Sequence, residues 1–348
     1  MLSVYHIARF KFSFLLLSIT LSLAACGGGG GGSGGDRISD NTPLSNRIFV
    51  YDSFNTAIAS IANSNPNPGL ITLDTTITGS NTNLDGRPVG DMVINKATRE
   101  LYVASGSSIL VFNNANTATG NIRPNRVISS SSFGDVRYLH LDINNDVIYA
   151  SDTTQGIWVI RDASTANGII VPERSITNSF GNSFSIEGIA VDLTKDILYV
   201  SVRSFSPSSE SILVFDNASL LDGSNIAADR TFTSNNTGGN PGQLIINEST
   251  NELYMADAAS NRVRVFNNAH TNNGTINPDR TINLPGQLNL TTLITHIEID
   301  FENDRLYSLS SNLLEIVQNI SLADGGVIST QLQAANINTS LDAVVVAP

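Results

Sequence analysis

From residue 47 onward the chain alternates short apolar runs with polar turns, and one unit of this alternation recurs. Its clearest marker is an aliphatic-aromatic pair: Ile48-Phe49, Leu101-Tyr102, Ile148-Tyr149, Leu198-Tyr199, Leu253-Tyr254 and Leu306-Tyr307. The aromatic positions step by 53, 47, 50, 55 and 53 residues. Seven residues before each of the five tyrosines stands Asn95, Asp142, Asp192, Asn247 or Asp300, closing a short apolar run. A spacing that never varies needs a connection that never varies, so it predicts a tight hairpin between two strands. A third run follows each pair, as in Ile109-Leu110-Val111-Phe112 and Val263-Arg264-Val265-Phe266. A fourth opens with Arg126, Arg174, Arg230 or Arg280, and Pro124, Pro172 and Pro278 stand two residues before three of these, which suits the start or edge of a strand. An arginine that recurs with the unit points to a structural task in every copy. Outside the N-terminal apolar segment, no stretch sustains a helical period.

Four strands per unit at this period predict the blades of an all-β propeller, and near-continuous apolar runs fit blades covered on both faces by their neighbours. The ends complete the count. Residues 48–51, 57–61 and 70–78 supply a second, third and fourth strand with no first before them, while 343–346 is a first strand with nothing after it. Joined, they make a sixth four-stranded blade, closed by one C-terminal and three N-terminal strands, with residues 47–348 as one domain. Such closure removes the free sheet edge.

The marker, an apolar-Asp/Asn step followed by a Leu-Tyr-Val-Ala-like strand, resembles NHL-repeat and related lactonase or YVTN-type six-bladed propellers. There is no Trp-Asp repeat and no Gly-Gly kelch marker. The resemblance implies either an enzyme, such as a lactonase, or a non-catalytic binding scaffold, because the fold alone selects neither. Lactonase-type relatives hold a divalent ion at the mouth of the central channel through carboxylates and amides. Five residues before the Asp/Asn marker stand Gly90, Arg137, Glu187, Gly242, Thr295 and Asp342, with Asp91 and Gln243 adjacent. Glu187, Asp342 and Asp91 are therefore the candidate ligands for a divalent cation such as calcium. Arg137 among them opposes a cation, and no ligand type repeats around the ring.

Ahead of the repeats, Arg9 and Lys11 precede the apolar run 12–23, which is short for a membrane span and fits a signal peptide. The run ends in Leu23-Ala24-Ala25-Cys26, which resembles the bacterial lipobox and implies cleavage after residue 25 and acylation of Cys26. Cys26 is the sole cysteine, so no disulfide forms within the chain. A single acyl chain anchors only reversibly, whereas two or three anchor stably. Gly27 to Gly35, interrupted by Ser33, has no side chains with which to build a core, and residues 26–46 are expected to form a flexible tether. Gly31-Gly32-Ser33-Gly34-Gly35 matches a hydrolase elbow only as letters, since no strand and helix flank it. The anchor implies an extracytoplasmic location, and Gly27 after the cysteine permits the outer membrane in a cell with two.

The net charge of −12 falls to −14 once the leader removes Arg9 and Lys11, and no long basic run offsets it. Such a chain repels phosphate backbones, which excludes nucleic acid as a partner class. The hairpins 142–146 and 300–304 begin like EF-hand loops, but Val147 and Arg305 replace the glycine and no bidentate acid follows, so they are expected to be turns. His140 and His296 fall in first strands with no visible nucleophile beside them, and His270 falls in a polar loop. The chain is thus expected to be a membrane-anchored scaffold that binds a protein, glycan or small ligand and requires no cofactor. The alternative is a metal-dependent, lactonase-like hydrolase with its site at the channel mouth.

Overall fold

The computed structural model describes residues 47–347 except the stretches 63–68, 72–73, 87–89, 154, 181–183, 206–207, 235–240, 258–259, 286–293, 311–312 and 335–340. The expected signal peptide, Cys26 and the glycine tether lie outside the described residues.

Each repeat folds as an antiparallel four-stranded sheet, and six of them make an all-β, six-bladed propeller. Blades 1 to 5 begin with the inner strands Met92–Asn95, Val136–Asp142, Phe184–Asp192, Pro241–Asn247 and His296–Asp300. Blade 6 takes Leu341–Ala347 as its inner strand and Arg47–Asp52, Ala57–Ala62 and Thr75–Thr78 as the outer three. Phe49 pairs with Val345 and Arg47 with Ala347, so the two ends of the chain close the ring as expected.

Local chemistry explains the invariant spacing. Three residues before each tyrosine, Arg99, Asp146, Asp196, Asn251 and Asp304 all take a left-handed backbone, with φ between 54 and 61°. Asn and Asp tolerate that region better than other side chains, which is why they crowd the hairpins. Asp142 Oδ1 accepts the N–H groups of Asn144 and Asn145 at 3.1 and 3.0 Å, and Asp300 Oδ1 accepts that of Asn303 at 3.0 Å. These hairpins are turns held by their own carboxylates.

Hydrophobic packing is divided among six layers, one between each pair of neighbouring blades. Tyr51, Tyr102, Tyr199, Tyr254 and Tyr307 are among the largest fully buried side chains. Each blade is covered on both faces, so its strands read as unbroken apolar runs rather than as an alternation.

Around the rim the structure adds pairing that the sequence pattern does not announce. The connection between third and fourth strands crosses to the preceding blade and adds a short parallel strand to its outer edge. Gly168–Ile169 pairs with Arg126–Ser129, Gly223–Ser224 with Arg174–Thr177, Gly274–Ile276 with Arg230–Ser234, and Gly325–Gly326 with Arg280–Asn283. In blade 6 the expected single strand over 70–78 is divided. Gly69–Ile71 leaves to pair with Ser329–Ala334 of blade 5, and Thr75–Thr78 remains, with Ile77 bridging to Gly120. The edge that each fourth strand would present is thereby covered.

The repeating arginines hold this lacing in place. Arg126 Nη1 donates to the carbonyls of Ala163 and Ala166 on blade 2 at 2.6 and 3.0 Å, while Nη2 donates to Glu100 at 2.7 Å. Arg280 repeats the arrangement with Ile320, Ala323 and Glu252 at 2.7, 3.0 and 2.7 Å, and Arg174 reaches Ala218 and Leu221 at 2.9 and 3.0 Å. Arg230 departs from the set and pairs with Asp216 of its own blade at 2.6 and 2.8 Å.

Candidate functional site

The inner strands of all six blades converge on the channel, and their close approach is set by residue size. A Cβ on Gly90 would stand 1.8 Å from the carbonyl oxygen of Arg137, and one on Gly188 would stand 2.6 Å from that of Gly242. Only glycine lets these neighbouring strands meet there.

Side chains alternate along a strand, so the number of steps from the Asn/Asp marker decides where each one lies. Four residues before it, with Ala347 at the marker position of blade 6, stand Asp91, Tyr138, Gly188, Gln243, His296 and Ala343. Here the structure builds a polar constriction. Asp91 Oδ1 accepts the Met92 N–H at 2.8 Å and lies 3.3 Å from His296 Nε2, while Oδ2 accepts the Leu139 N–H of blade 2 at 3.1 Å. Gln243 makes the matching tie between blades 4 and 5: its Oε1 accepts the Ile297 N–H at 2.8 Å, and its Nε2 lies 3.1 Å from His296 Nε2. His296 therefore links blades 1, 4 and 5, and at the matching position blade 6 carries the buried Ala343.

Two residues nearer the marker the ring holds Val93, His140, Ala190, Ile245, Glu298 and Val345. The two polar members, His140 and Glu298, belong to opposed blades. Glu298 accepts a hydrogen bond from the Val346 backbone of blade 6, and burial, followed by the charge of Asp91, raises its pKa to about 8. Burial holds the His140 imidazole below its ordinary value, and its ring meets Tyr149 edge-on at 6.3 Å. Together with Lys96, Glu248 and the aliphatic walls, these groups enclose a cavity of about 230 Å³.

The three carboxylates expected at the mouth are placed apart in role. Asp91 is engaged in the constriction, Asp342 accepts the Ser53 N–H at 3.3 Å, and Glu187 acts on the buried Tyr138, whose hydroxyl is pushed up by burial while Arg137 opposes and Glu187 adds to the shift. Among the described residues no three His, Cys, Asp or Glu side chains gather closely enough to hold a metal ion, so Glu187, Asp342 and Asp91 form no such group. Glu187 on blade 3 and Asp342 on blade 6 lie on opposed blades of the ring, and Asp91 stands on blade 1, one step nearer its marker than the other two. Glu298 was not among the sequence candidates, although counting two and four steps from the marker would have found it. His270 sits beside Asn251 in its loop and takes no part in the channel.

Blade 3 differs from the others in reach. Its second and third strands, Ile197–Phe205 and Ser208–Asp216, have nine residues each, where the corresponding strands elsewhere have five or six. They run past the ring on the face where the inner strands begin. Near the tip, Phe205 is 57% exposed, with the Arg203 guanidinium 5.5 Å from its ring centre.

No family model matches the chain, and no curated protein matches it. Among solved structures it is similar to the β-propeller domain of Cps50 (Swd1) from Myceliophteria thermophila, with a TM-score of 0.50 and 10% sequence identity over 82% of this chain and 83% of that one. At that identity the likeness concerns the fold alone.

Proposed function

We propose that the protein is an NHL-like propeller lipoprotein, held outside the cytoplasm by acylated Cys26, that docks a partner protein of the cell envelope on its mouth face. The observation that carries this reading is the placement of the chain's entry. Arg47 pairs with Ala347, the last residue of the closing inner strand, so the propeller begins on the face opposite the mouth. A tether joined there leaves the mouth face, with the blade 3 hairpin and Phe205, free to meet a partner. The channel polar groups support a scaffold rather than a hydrolase, because Asp91, Gln243 and His296 are engaged in tying blades together. The exposed Phe205 supports this reading, since aromatic side chains are enriched at protein interfaces.

Intact-mass measurement of the membrane-extracted protein tests the anchor: a mass increased by two or three acyl chains, lost with Cys26→Ser, is the expected result, and an unmodified Cys26 overturns it. A photo-crosslinking residue at position 205, used in intact cells, tests docking. One dominant envelope protein captured there, and not from an equivalent residue at the rim position Ile169, is expected. Equal capture from both positions refutes the assignment of the mouth face.

A further inference from the structure

We propose that the central cavity binds a small organic cation, its ammonium group on Glu298 and its short hydrocarbon part against the aliphatic walls. This goes beyond the docking reading, since it concerns the interior of the ring and not its mouth face.

The cavity of about 230 Å³ is of a size for one small molecule. Its exposed lining is more polar than apolar, with Val93, Leu141, Ala190, Ile245 and Val345 supplying a hydrocarbon surface beside the polar groups. Those polar groups have a sign. Asp91, Glu248 and Glu298 line the cavity against a single ammonium, that of Lys96. An anionic ligand would meet repulsion from Asp91 and Glu248.

Among these acids Glu298 has capacity to spare. Both oxygens of Asp91 are occupied by backbone N–H groups at 2.8 and 3.1 Å, and Glu248 accepts the Leu193 N–H at 3.3 Å and the Thr194 hydroxyl. Glu298 takes the Val346 backbone hydrogen bond, whereas an ionised carboxylate has about four acceptor sites. It keeps partial surface exposure although it lies deep in the ring, and it lines the cavity. The titratable groups around it are Asp91 and Lys96 on blade 1, Asp300 on its own strand, Glu248 on blade 4 and His140 on the opposed blade. Burial and Asp91 keep its carboxyl protonated up to about pH 8. A cation brought beside it reverses the balance: the carboxyl gives its proton to solvent, and the ammonium replaces that proton as the partner of the carboxylate.

The experiment is calorimetric titration of the full chain with n-butylammonium near neutral pH, in two buffers of different ionisation enthalpy, with n-butanol and butyrate as controls. Saturable binding of one equivalent of the amine, with release of nearly one proton and no binding of either control, is expected. Glu298→Gln should weaken binding at least tenfold and abolish the proton release. Lys96→Met, which removes the competing cation, should tighten binding severalfold. The absence of saturable amine binding, equal binding of butanol, or unchanged affinity in Glu298→Gln overturns the proposal. If Glu298→Gln does not fold, proton release by the unaltered chain and the Lys96→Met affinity decide: no release, or no tightening, refutes it.

Discussion

Replacing Arg280 with methionine should cost far more stability than the same change at Arg230, although the two arginines occupy equivalent positions in neighbouring blades. Arg280 donates to two carbonyls of blade 5 at 2.7 and 3.0 Å and to Glu252 and Tyr254 at 2.7 and 3.2 Å, with its side chain 15% exposed. Hydrogen bonds from a charged donor contribute roughly 1.5–3 kcal/mol each when buried. Partial exposure discounts that figure, and methionine retains the packing of the aliphatic stem, so a loss of about 3–4 kcal/mol is expected. Among the described residues Arg230 pairs with Asp216 of its own blade, with side chains 21% and 38% exposed, and a pair of that kind contributes about 0.5–1 kcal/mol. An unfolding entropy of about 2.1 cal/mol/K per residue over roughly 300 residues makes 1 kcal/mol equal to about 1.6 °C. Differential scanning calorimetry should therefore show a fall of about 5–6 °C for Arg280→Met and about 1 °C for Arg230→Met. Equal falls would refute the claim that the repeated arginines act by clamping the neighbouring blade.

Three further outcomes are expected. Gly90→Ala places a Cβ 1.8 Å from the Arg137 carbonyl oxygen, a backbone atom that cannot turn aside, and should abolish folding to a monomeric ring by size-exclusion and near-ultraviolet circular dichroism, whereas Gly120→Ala, which meets no atom within 4 Å, should cost only about 1 kcal/mol for its left-handed backbone. The Arg264–Asp257 ion pair is 4% and 1% exposed, so Asp257→Asn should destabilise by about 3–5 kcal/mol in urea; the double change Arg264→Leu with Asp257→Ser installs the residues found at the matching positions of blade 1, Leu110 and Ser105, and should recover most of that loss. For Glu298 the folded pKa, about 8, lies above that of the unfolded chain, so the folded state binds the extra proton between them. Its contribution to stability is full at low pH and is lost as pH rises through about 8; thermal melts should show Glu298→Gln gaining on the unaltered protein up to that pH and the gap then staying constant, and a gap independent of pH would refute the assignment.

The sequence by itself determined the number of blades, the order of strands within each and the way the ring closes. All of these follow from near neighbours in the chain: the seven-residue step from Asn95 to Tyr102 fixes a hairpin, and the missing first strand at one end matches the extra one at the other. It also carried the reading of the recurring arginines as structural, since a residue that returns at the same place in four of the six blades serves the blade. Tertiary structure alone decided the lacing of the rim, because a pair such as Gly168 with Ile128 joins residues of different blades and a two-residue parallel strand leaves no periodicity to read. It decided the channel as well. Asp91 on blade 1 meets His296 on blade 5, residues far apart in the chain, and Glu298 lies on the same ring as His140 only once the strand faces are assigned. Repeats specify what every blade shares, whereas a site on the axis is made by the one position at which the blades differ, and its members meet only when the ring is closed.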